Sequence, residues 1–357
     1  MDYPVGQSAF AAANMIPWTS FSHAGCTVGA TKITCNGQVG LVIDSVDFTA
    51  SNGASLDIQN CQNITITNCK WGGTNLALVG VGIINLDNQC NGLNFSHNTL
   101  DASVTPISTT SQAYVMGSYG DMRVEYNYFK NYTEILNVNT SNLIYRFNLI
   151  DEHLVTNPTG GIGTDTHMNC LQWGSGSSTA DVSFNTVKQT VFAGSEVFQF
   201  YFNFGGTMTN PACNNNVIIG HAADRAQIIA ATARLNNHAY NKGDYFTVAD
   251  ANPGIYCHCY TAGITAGSEP GTYATSGDGA LITDGTAQIQ LIGDGNTVLS
   301  YPIHASGFAG TTLVGTGIAN NNYFDITDAF GAFYNSSFTG WTRTGNINMV
   351  TGGALNS

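Results

Sequence analysis

A short alternating block that recurs along most of the chain constrains its fold more than any other feature. Examples are Asn63-Ile-Thr-Ile-Thr-Asn-Cys-Lys-Trp71, Asn91-Gly-Leu-Asn-Phe-Ser-His-Asn-Thr-Leu100, Asp121-Met-Arg-Val-Glu-Tyr-Asn-Tyr-Phe129, Asn142-Leu-Ile-Tyr-Arg-Phe-Asn-Leu-Ile150 and Asp181-Val-Ser-Phe-Asn-Thr-Val187. Each is a period-2 run leading into an Asn-x-apolar turn. Period 2 sends neighbouring side chains to opposite faces, which excludes amphipathic helices here. Aligned on the turn, the column reads Val46, Cys69, Asn98, Asn127, Asn148, Asn185, Asn216 and Asn322, with gaps of 23, 29, 29, 21, 37, 31 and 106 residues. Strands this short at this spacing suit coils of parallel strands stacked on one another, with apolar side chains in inner columns. Asn suits the corner because it tolerates left-handed backbone and can hydrogen-bond to the Asn above and below. Cys61 and Cys90 each stand eight residues before their column positions, 69 and 98, and are expected inside.

Composition narrows the function classes. Charged residues make up 9% of 357, and 10 Lys+Arg against 23 Asp+Glu give a net charge of −13. Phosphate and anionic-lipid surfaces require clustered Lys and Arg, so neither nucleic acid nor a membrane surface is an expected partner. Five Lys and five Glu are too few for a helical bundle. The 41 Gly and 38 Asn instead suit many turns between short strands. The longest apolar stretches, such as Leu76–Leu86, are broken by Gly and Asn, so no membrane span is expected. Met1-Asp2-Tyr3-Pro4 lacks the basic start and apolar run of a signal peptide, which leaves open a leader removed upstream. The nine Cys show no CxxC pattern, so no zinc site or other metal or cofactor is implied. Cys26 and Cys35 are candidates for a bridge, Cys257 and Cys259 are too close for an easy mutual one, and the thiols read mainly as small buried hydrophobes.

The repeat resembles right-handed parallel β-helix proteins over about 35–222 and 305–350, a broad group of pectate-lyase-like enzymes, polygalacturonase-like hydrolases and phage tailspikes. The resemblance implies an all-β solenoid that binds, and in the enzymes cleaves, a polysaccharide or cell-surface glycan. For a tailspike it also implies a homotrimer at a virion tail or in the extracellular space. The expected organisation is an N-terminal cap (1–34), the β-helix (35–227), an inserted small β module (228–300), and a β-helix continuation with a C-terminal cap (301–357). Ser8–Met15 reads as the cap helix, with Ser8 as N-cap and Pro17 ending it, and aromatic-rich Phe330–Trp341 covers the far end or packs on another copy. The insertion resembles a small module of phage tail proteins through Ala239-Tyr240-x-x-Gly243-Asp244, Tyr256-Cys257, Ala262-Gly263-Ile264-Thr265-Ala266-Gly267-Ser268-Glu269-Pro270 and Asp284-Gly285-Thr286. That pattern usually carries Trp where Leu235 and Ile289 or Leu291 stand here.

A second register points to chemistry. Glu134-Ile-Leu-Asn137, Asn169-Cys-Leu-Gln172, Glu196-Val-Phe-Gln199 and Asp224-Arg-Ala-Gln227 share one form on four successive coils. Alternation in Glu196–Phe202 puts the Phe residues inside and Gln199 and Tyr201 outside, so Asn137, Gln172, Gln199 and Gln227 are expected to form an outer polar ladder. Coils stack at about 4.8 Å. Glu196 and Asp224 on adjacent coils would lie about 5 Å apart, and Glu134 and Glu196 about 10 Å apart with Asn169 between them. Glycoside hydrolases hold two carboxyls about 5–5.5 Å apart when retaining and about 6.5–9.5 Å when inverting. Crowding of like charges raises one pKa, as a general acid requires. The acid must then sit on the turn before the strand, because three residues separate it from the amide. Asp165-Thr-His-Met-Asn-Cys-Leu-Gln-Trp173 is the densest polar cluster and resembles the H-x-D-x-x-Q segment of β-helix proteins, with Asn169 replacing Asp. The resemblance adds His167 as a general base and Asp165 beside it. The loops Asp151–Gly163 and Asp101–Ala113 would wall a groove, and Trp173, Tyr201 and Tyr128 are candidate sugar-stacking rings. A lyase needs cations to neutralise a uronate, and the central candidates are Lys188, Arg146 and Arg225. No compact Ca²⁺ loop pattern is present. The expectation is a polysaccharide-degrading protein with hydrolase favoured over lyase, against a non-catalytic receptor-binding or structural virion protein.

Overall fold

The computed structural model describes residues 5–6, 9–72, 83–87, 89–101, 115–117, 120–132, 135–138, 140–153, 170–173, 177–188, 198–201, 206–219, 227, 230–248, 256–274, 281–293, 303–306, 311–325, 333, 340–349 and 351–355. The fold is all-β and dominated by parallel sheets, an arrangement compatible with a parallel β-helix. The chain visits three sheets in rotation. Gln62–Thr67, Asn91–Ser96, Asp121–Glu125, Asn142–Arg146 and Ser177–Ser183 pair in parallel in the first sheet. Lys70–Gly72, Thr99–Asp101, Tyr128–Tyr132, Leu149–His153 and Thr186–Lys188 follow in the second. Ile84–Leu86, Val115–Gly117, Leu136–Val138, Leu171–Trp173 and Phe198–Tyr201 follow in the third. Each turn of this rotation is called a rung below.

Alternation does what period 2 dictates. In the first sheet Ile64, Leu93, Met122, Leu143 and Ala180 form one inner column, and Ile66, Phe95, Val124, Tyr145 and Val182 the next, all nearly inaccessible. Cys61 and Cys90 lie inside with them. Phe48 and Trp71 stack at 4.5 Å in the same core.

The corner between the first and second sheets is the most regular element. Asn98, Asn127, Asn148, Asn185, Asn216, Asn322 and also Asn346 are buried there. Asn127 Oδ1 accepts from the backbone N of Asn98 at 2.9 Å and from its Nδ2 at 3.1 Å. The Asn127 Nδ2 donates to Phe95 O and Asn148 Oδ1, both at 3.0 Å. The same links continue through Asn185, Asn216 and Asn322 to Asn346. The residue just before each of these positions is left-handed: His97, Tyr126, Phe147, Phe184, Asn215 and Asn321 have φ between 54° and 59°, and Gly345 has 66°. A bulky residue there costs about 1–2 kcal/mol, which the ladder's buried bonds offset at every rung.

Ile16–Pro17 pairs with Val46–Asp47 and ends the second sheet, and Cys26–Val28 pairs antiparallel with Lys32–Asn36 at the end of the third. The N-terminal helix spans Ala9–Ala13. Ahead of it, Gly6 N donates to Tyr126 O at 2.8 Å, at the corner that leads into Tyr128–Tyr132. A Cβ on Gly6 would meet Thr99 Oγ1 at 2.6 Å, so only glycine fits. At the other end Phe333 is buried and bridges to Ile303.

The insertion folds on itself. Tyr245–Thr247, Tyr256–Thr261, Ala287–Gly293 and Leu281–Asp284 pair antiparallel, with Thr232–Ala233 parallel at one edge, around a separate core that includes Tyr240, Phe246, Cys257 and Tyr273. Its motif residues hold the module together. Asn241 N donates to Asp244 Oδ2 at 2.7 Å, Thr265 Oγ1 to Leu235 O at 2.7 Å, and Tyr273 OH to Asp284 Oδ2 at 2.9 Å. Arg234 grips Asp284 through Nε at 2.6 Å and Nη2 at 2.8 Å. Beyond the module Ile303–Ser306 returns to the third sheet, directly on Phe198–Tyr201.

Cys26 and Cys35 form a disulfide, and the other seven cysteines are buried thiols outside any disulfide. Burial pushes the Cys69 and Cys90 thiols up to about 12, so almost no thiolate exists at pH 8 to be alkylated. Iodoacetamide is expected to leave the native protein unlabelled, to add seven groups after denaturation and nine after reduction as well, counted by mass spectrometry. Rapid labelling of the native protein would contradict this packing.

Candidate functional site

In the third sheet one register column runs through three of the residues expected in the polar ladder. The inner column Ile33, Leu56, Ile84, Leu136, Leu171 and Ile303 is buried. The residues one step on pair in the order Thr34, Asp57, Asn85, Met116, Asn137, Gln172, Gln199 and His304. Thr34, Asp57 and Asn85 are half-buried, as an outer position of a pleated strand should be. Asn137, Gln172 and Gln199 occupy consecutive register positions of this column. At the N-terminal end of the column Asp57 accepts from Lys32 Nζ at 3.2 Å.

One expected member does not belong. Gln227 is exposed and precedes the inserted module, and the strand paired with Phe198–Tyr201 is Ile303–Ser306. The position after Gln199 is thus taken by His304. The physical reason is the insertion, which breaks the coil between the second and third sheets, so the four-residue form at Asp224–Gln227 is not followed by a third-sheet strand. Adjacency of Asp224 and Glu196 on successive coils requires that register. Trp173 pairs with Val138 and Phe200, a register column whose described members Cys35, Ile58 and Leu86 are buried. Tyr201 pairs with Ser306. Glu134, Asp165, His167, Asn169, Glu196, Asp224 and Arg225 lie outside the described residues, as do most of the two loops expected to wall a groove.

Two outer columns that sequence reasoning passed over are fully described. On the second sheet Asp101, Lys130, Asp151 and Lys188 are in register. Asp151 lies 3.8 Å from Lys130 Nζ and 3.3 Å from Lys188 Nζ, and it accepts from Tyr128 OH at 3.0 Å. Tyr128 is thus committed to this network. On the first sheet Arg146 pairs with Asp181, which holds the guanidinium pKa above its ordinary value. At the corner His97, Tyr126, Phe147 and Phe184 stack with centroids 5.0, 4.9 and 5.2 Å apart and planes within 14°. Their faces cover one another, so this stack is not a sugar platform. Both columns were legible in the Asn alignment: the position before each Asn reads His, Tyr, Phe, Phe, and the third after it reads Asp, Lys, Asp, Lys.

Among the described residues no group of three His, Cys, Asp or Glu is arranged to hold a metal ion, and no helix is long and apolar enough to cross a membrane. No family model, curated protein or solved structure matches the chain.

Proposed function

We propose that this chain is a polysaccharide-binding right-handed parallel β-helix of the tailspike type, a homotrimer at a virion tail or outside the cell, and that it cleaves its glycan as a glycoside hydrolase. The observation that carries the reading is the unbroken register of Asn137, Gln172 and Gln199 on one outer column. Amides repeated at about 4.8 Å form a track suited to a ligand whose polar groups are hydroxyls. Glu134 and Glu196 each precede the first and third of these amides by three residues. Equivalent positions two rungs apart are separated by about 10 Å of backbone, and convergent side chains bring such a pair into the inverting range of about 6.5–9.5 Å. The protonated carboxyl gives its proton to the departing glycosidic oxygen. The ionised one takes a proton from the water that attacks the anomeric carbon. His167 and Asp165 precede the Leu171–Trp173 strand in the sequence and are kept as candidates for the proton transfer. The Glu134–Glu196 pair is preferred to Glu196–Asp224 because the register behind the latter is not formed.

A lyase reading is weaker, because Lys188 and Arg146 are engaged with Asp151 and Asp181. Glu134→Gln and Glu196→Gln are each expected to lower sugar release from a cleaved polysaccharide by about 10²–10⁴-fold without changing the melting temperature. Wild-type protein that binds a glycan yet releases no reducing ends would replace this reading with receptor binding alone.

A further inference from the structure

The outer face of the second sheet changes chemistry along its length. One outer column runs in register from Asp47 and Lys70 through Thr99, Tyr128, Leu149 and Thr186 to Val217, Tyr323 and Ile347. A second, two residues on, runs from Asp101 through Lys130, Asp151 and Lys188 to Ile219. In the earlier rungs the described charges cancel. Asp47, Asp101 and Asp151 stand against Lys70, Lys130 and Lys188, which are three of the chain's five Lys, so the net charge of −13 resides outside these six residues. Gly6 lies against Thr99 and Tyr128 in this part of the face. From Leu149 onward the face is apolar. Leu149, Val217, Ile219 and Ile347 are half-buried, while Tyr323 and Met349 are 41% and 40% exposed. Met349 N donates to Phe324 O at 2.7 Å, which keeps that residue on the sheet. The inward neighbours Ile218 and Phe324 are fully buried, so Val217 and Tyr323 point outward. Phe184, 44% exposed, stands at the corner two residues before Thr186. On the first sheet, by contrast, the outer column Asp44, Thr67, Ser96, Glu125, Arg146 and Ser183 is polar at every position.

We infer that the apolar strip of the second sheet is the surface through which copies of this chain associate. The inference rests on the homotrimer proposed above and assigns its contact face. Contiguous apolar surface beside polar groups marks contact with another protein. A tyrosine among aliphatic side chains suits the desolvated centre of such a contact. Charge selects the occupant. Copies of a chain with net charge −13 repel one another at most approaches. On this face the charges beside the strip balance, with Asp151 lying 3.8 Å from Lys130 Nζ and 3.3 Å from Lys188 Nζ. Two copies therefore meet here without net repulsion, whereas a basic partner is drawn to the acidic remainder of the chain. Stacks set parallel around a threefold axis hold equal rungs at equal height. The strip of one copy then meets those of the other two from Leu149 to Ile347, four rung steps or about 19 Å.

The test is the mass of the full chain, measured by analytical ultracentrifugation across a wide concentration range. The wild type is expected to be a trimer. Val217→Lys and Tyr323→Lys each gather like charges around one axis, and each is expected to raise the concentration of half-association by at least about 100-fold. Thr65→Lys, at a half-buried outer position of the first sheet, is the control and should leave association unchanged. Cross-linking keeps the inference testable if a lysine variant fails to fold. The Tyr323→Cys variant has one exposed thiol beside seven buried ones. Exchange with glutathione disulfide is expected to link two copies through that thiol, read as a doubled mass on a non-reducing gel, while Thr65→Cys gives no such band. A trimer that tolerates both lysines, or that fails to cross-link at position 323, overturns this face and leaves the trimer standing. A two-copy complex dissolved by both lysines supports the face and overturns the trimer. A chain that stays single at every concentration overturns both.

Discussion

Asn148→Ala is expected to unfold the stack at a markedly lower urea concentration, with a loss of about 4 kcal/mol, a value reached only when several buried partners fail together. Asn148 is 1% exposed. Its Oδ1 accepts from Asn127 N and Asn127 Nδ2, both at 3.0 Å. Its Nδ2 donates to Val124 O at 2.9 Å and Asn185 Oδ1 at 3.0 Å. Truncation removes partners from groups on the rungs to either side, and each buried group without a partner costs about 1–3 kcal/mol, less whatever relaxation recovers. The whole stability of a domain is only about 5–15 kcal/mol. Asn142→Ala, at an exposed position of the preceding strand, is the control and should shift stability by less than about 0.5 kcal/mol. A loss at Asn148 no larger than the control would mean that the ladder follows the fold rather than supports it.

The second large effect is confined to the insertion. Asp284→Asn is expected to unfold the module by about 3–5 kcal/mol, because it leaves the Arg234 charge buried without its counter-ion. Arg234 and Asp284 side chains are 2% and 0% exposed. Burial alone would push the Asp284 carboxyl up, but the Arg234 guanidinium, the Ala266 N–H and the Tyr273 hydroxyl outweigh it and hold its pKa below the usual carboxylate value. A depressed folded pKa stabilises above the unfolded value of about 3.9 and is lost as pH falls through the lower folded value. The wild-type module should therefore hold through mild acid and open only in strong acid. Limited proteolysis resolves the two parts: the variant should be cut within 232–293 while the strands of the stack stay protected. A variant as resistant as wild type would show that the pair contributes no net stability.

The stack was legible in the sequence because its signal is local and repeated. Period-2 runs and the corner Asn at 98, 127, 148, 185, 216 and 322 each need only a few residues to be recognised. Asn346 escaped notice because the block before it, Trp341–Thr342, is too short to show alternation. The corner rings and the Asp–Lys column were written in the same alignment but at other offsets, where side-chain identity changes from rung to rung and no single residue type repeats. Gln227 misled for a different reason. A four-residue similarity carries no information about the strand it enters, and the module diverts the chain before the third sheet is reached. Such an error cannot be seen from local pattern, because the partner of Gln199 stands at His304, beyond the insertion.

That diversion has a consequence for how the chain can change. Asn216 and Asn322 are ladder neighbours 106 residues apart, where Asn185 and Asn216 are 31 apart. Closing the longer loop costs only about 1 kcal/mol more chain entropy, since the penalty grows with the logarithm of length. The rungs on either side register through the same amide bonds, and the module rests Tyr245 and Tyr256 against the core of the stack. The corner between Ile219 and Ile303 is thus a socket: a guest that folds by itself can be enlarged, exchanged or removed there while the host keeps its pitch.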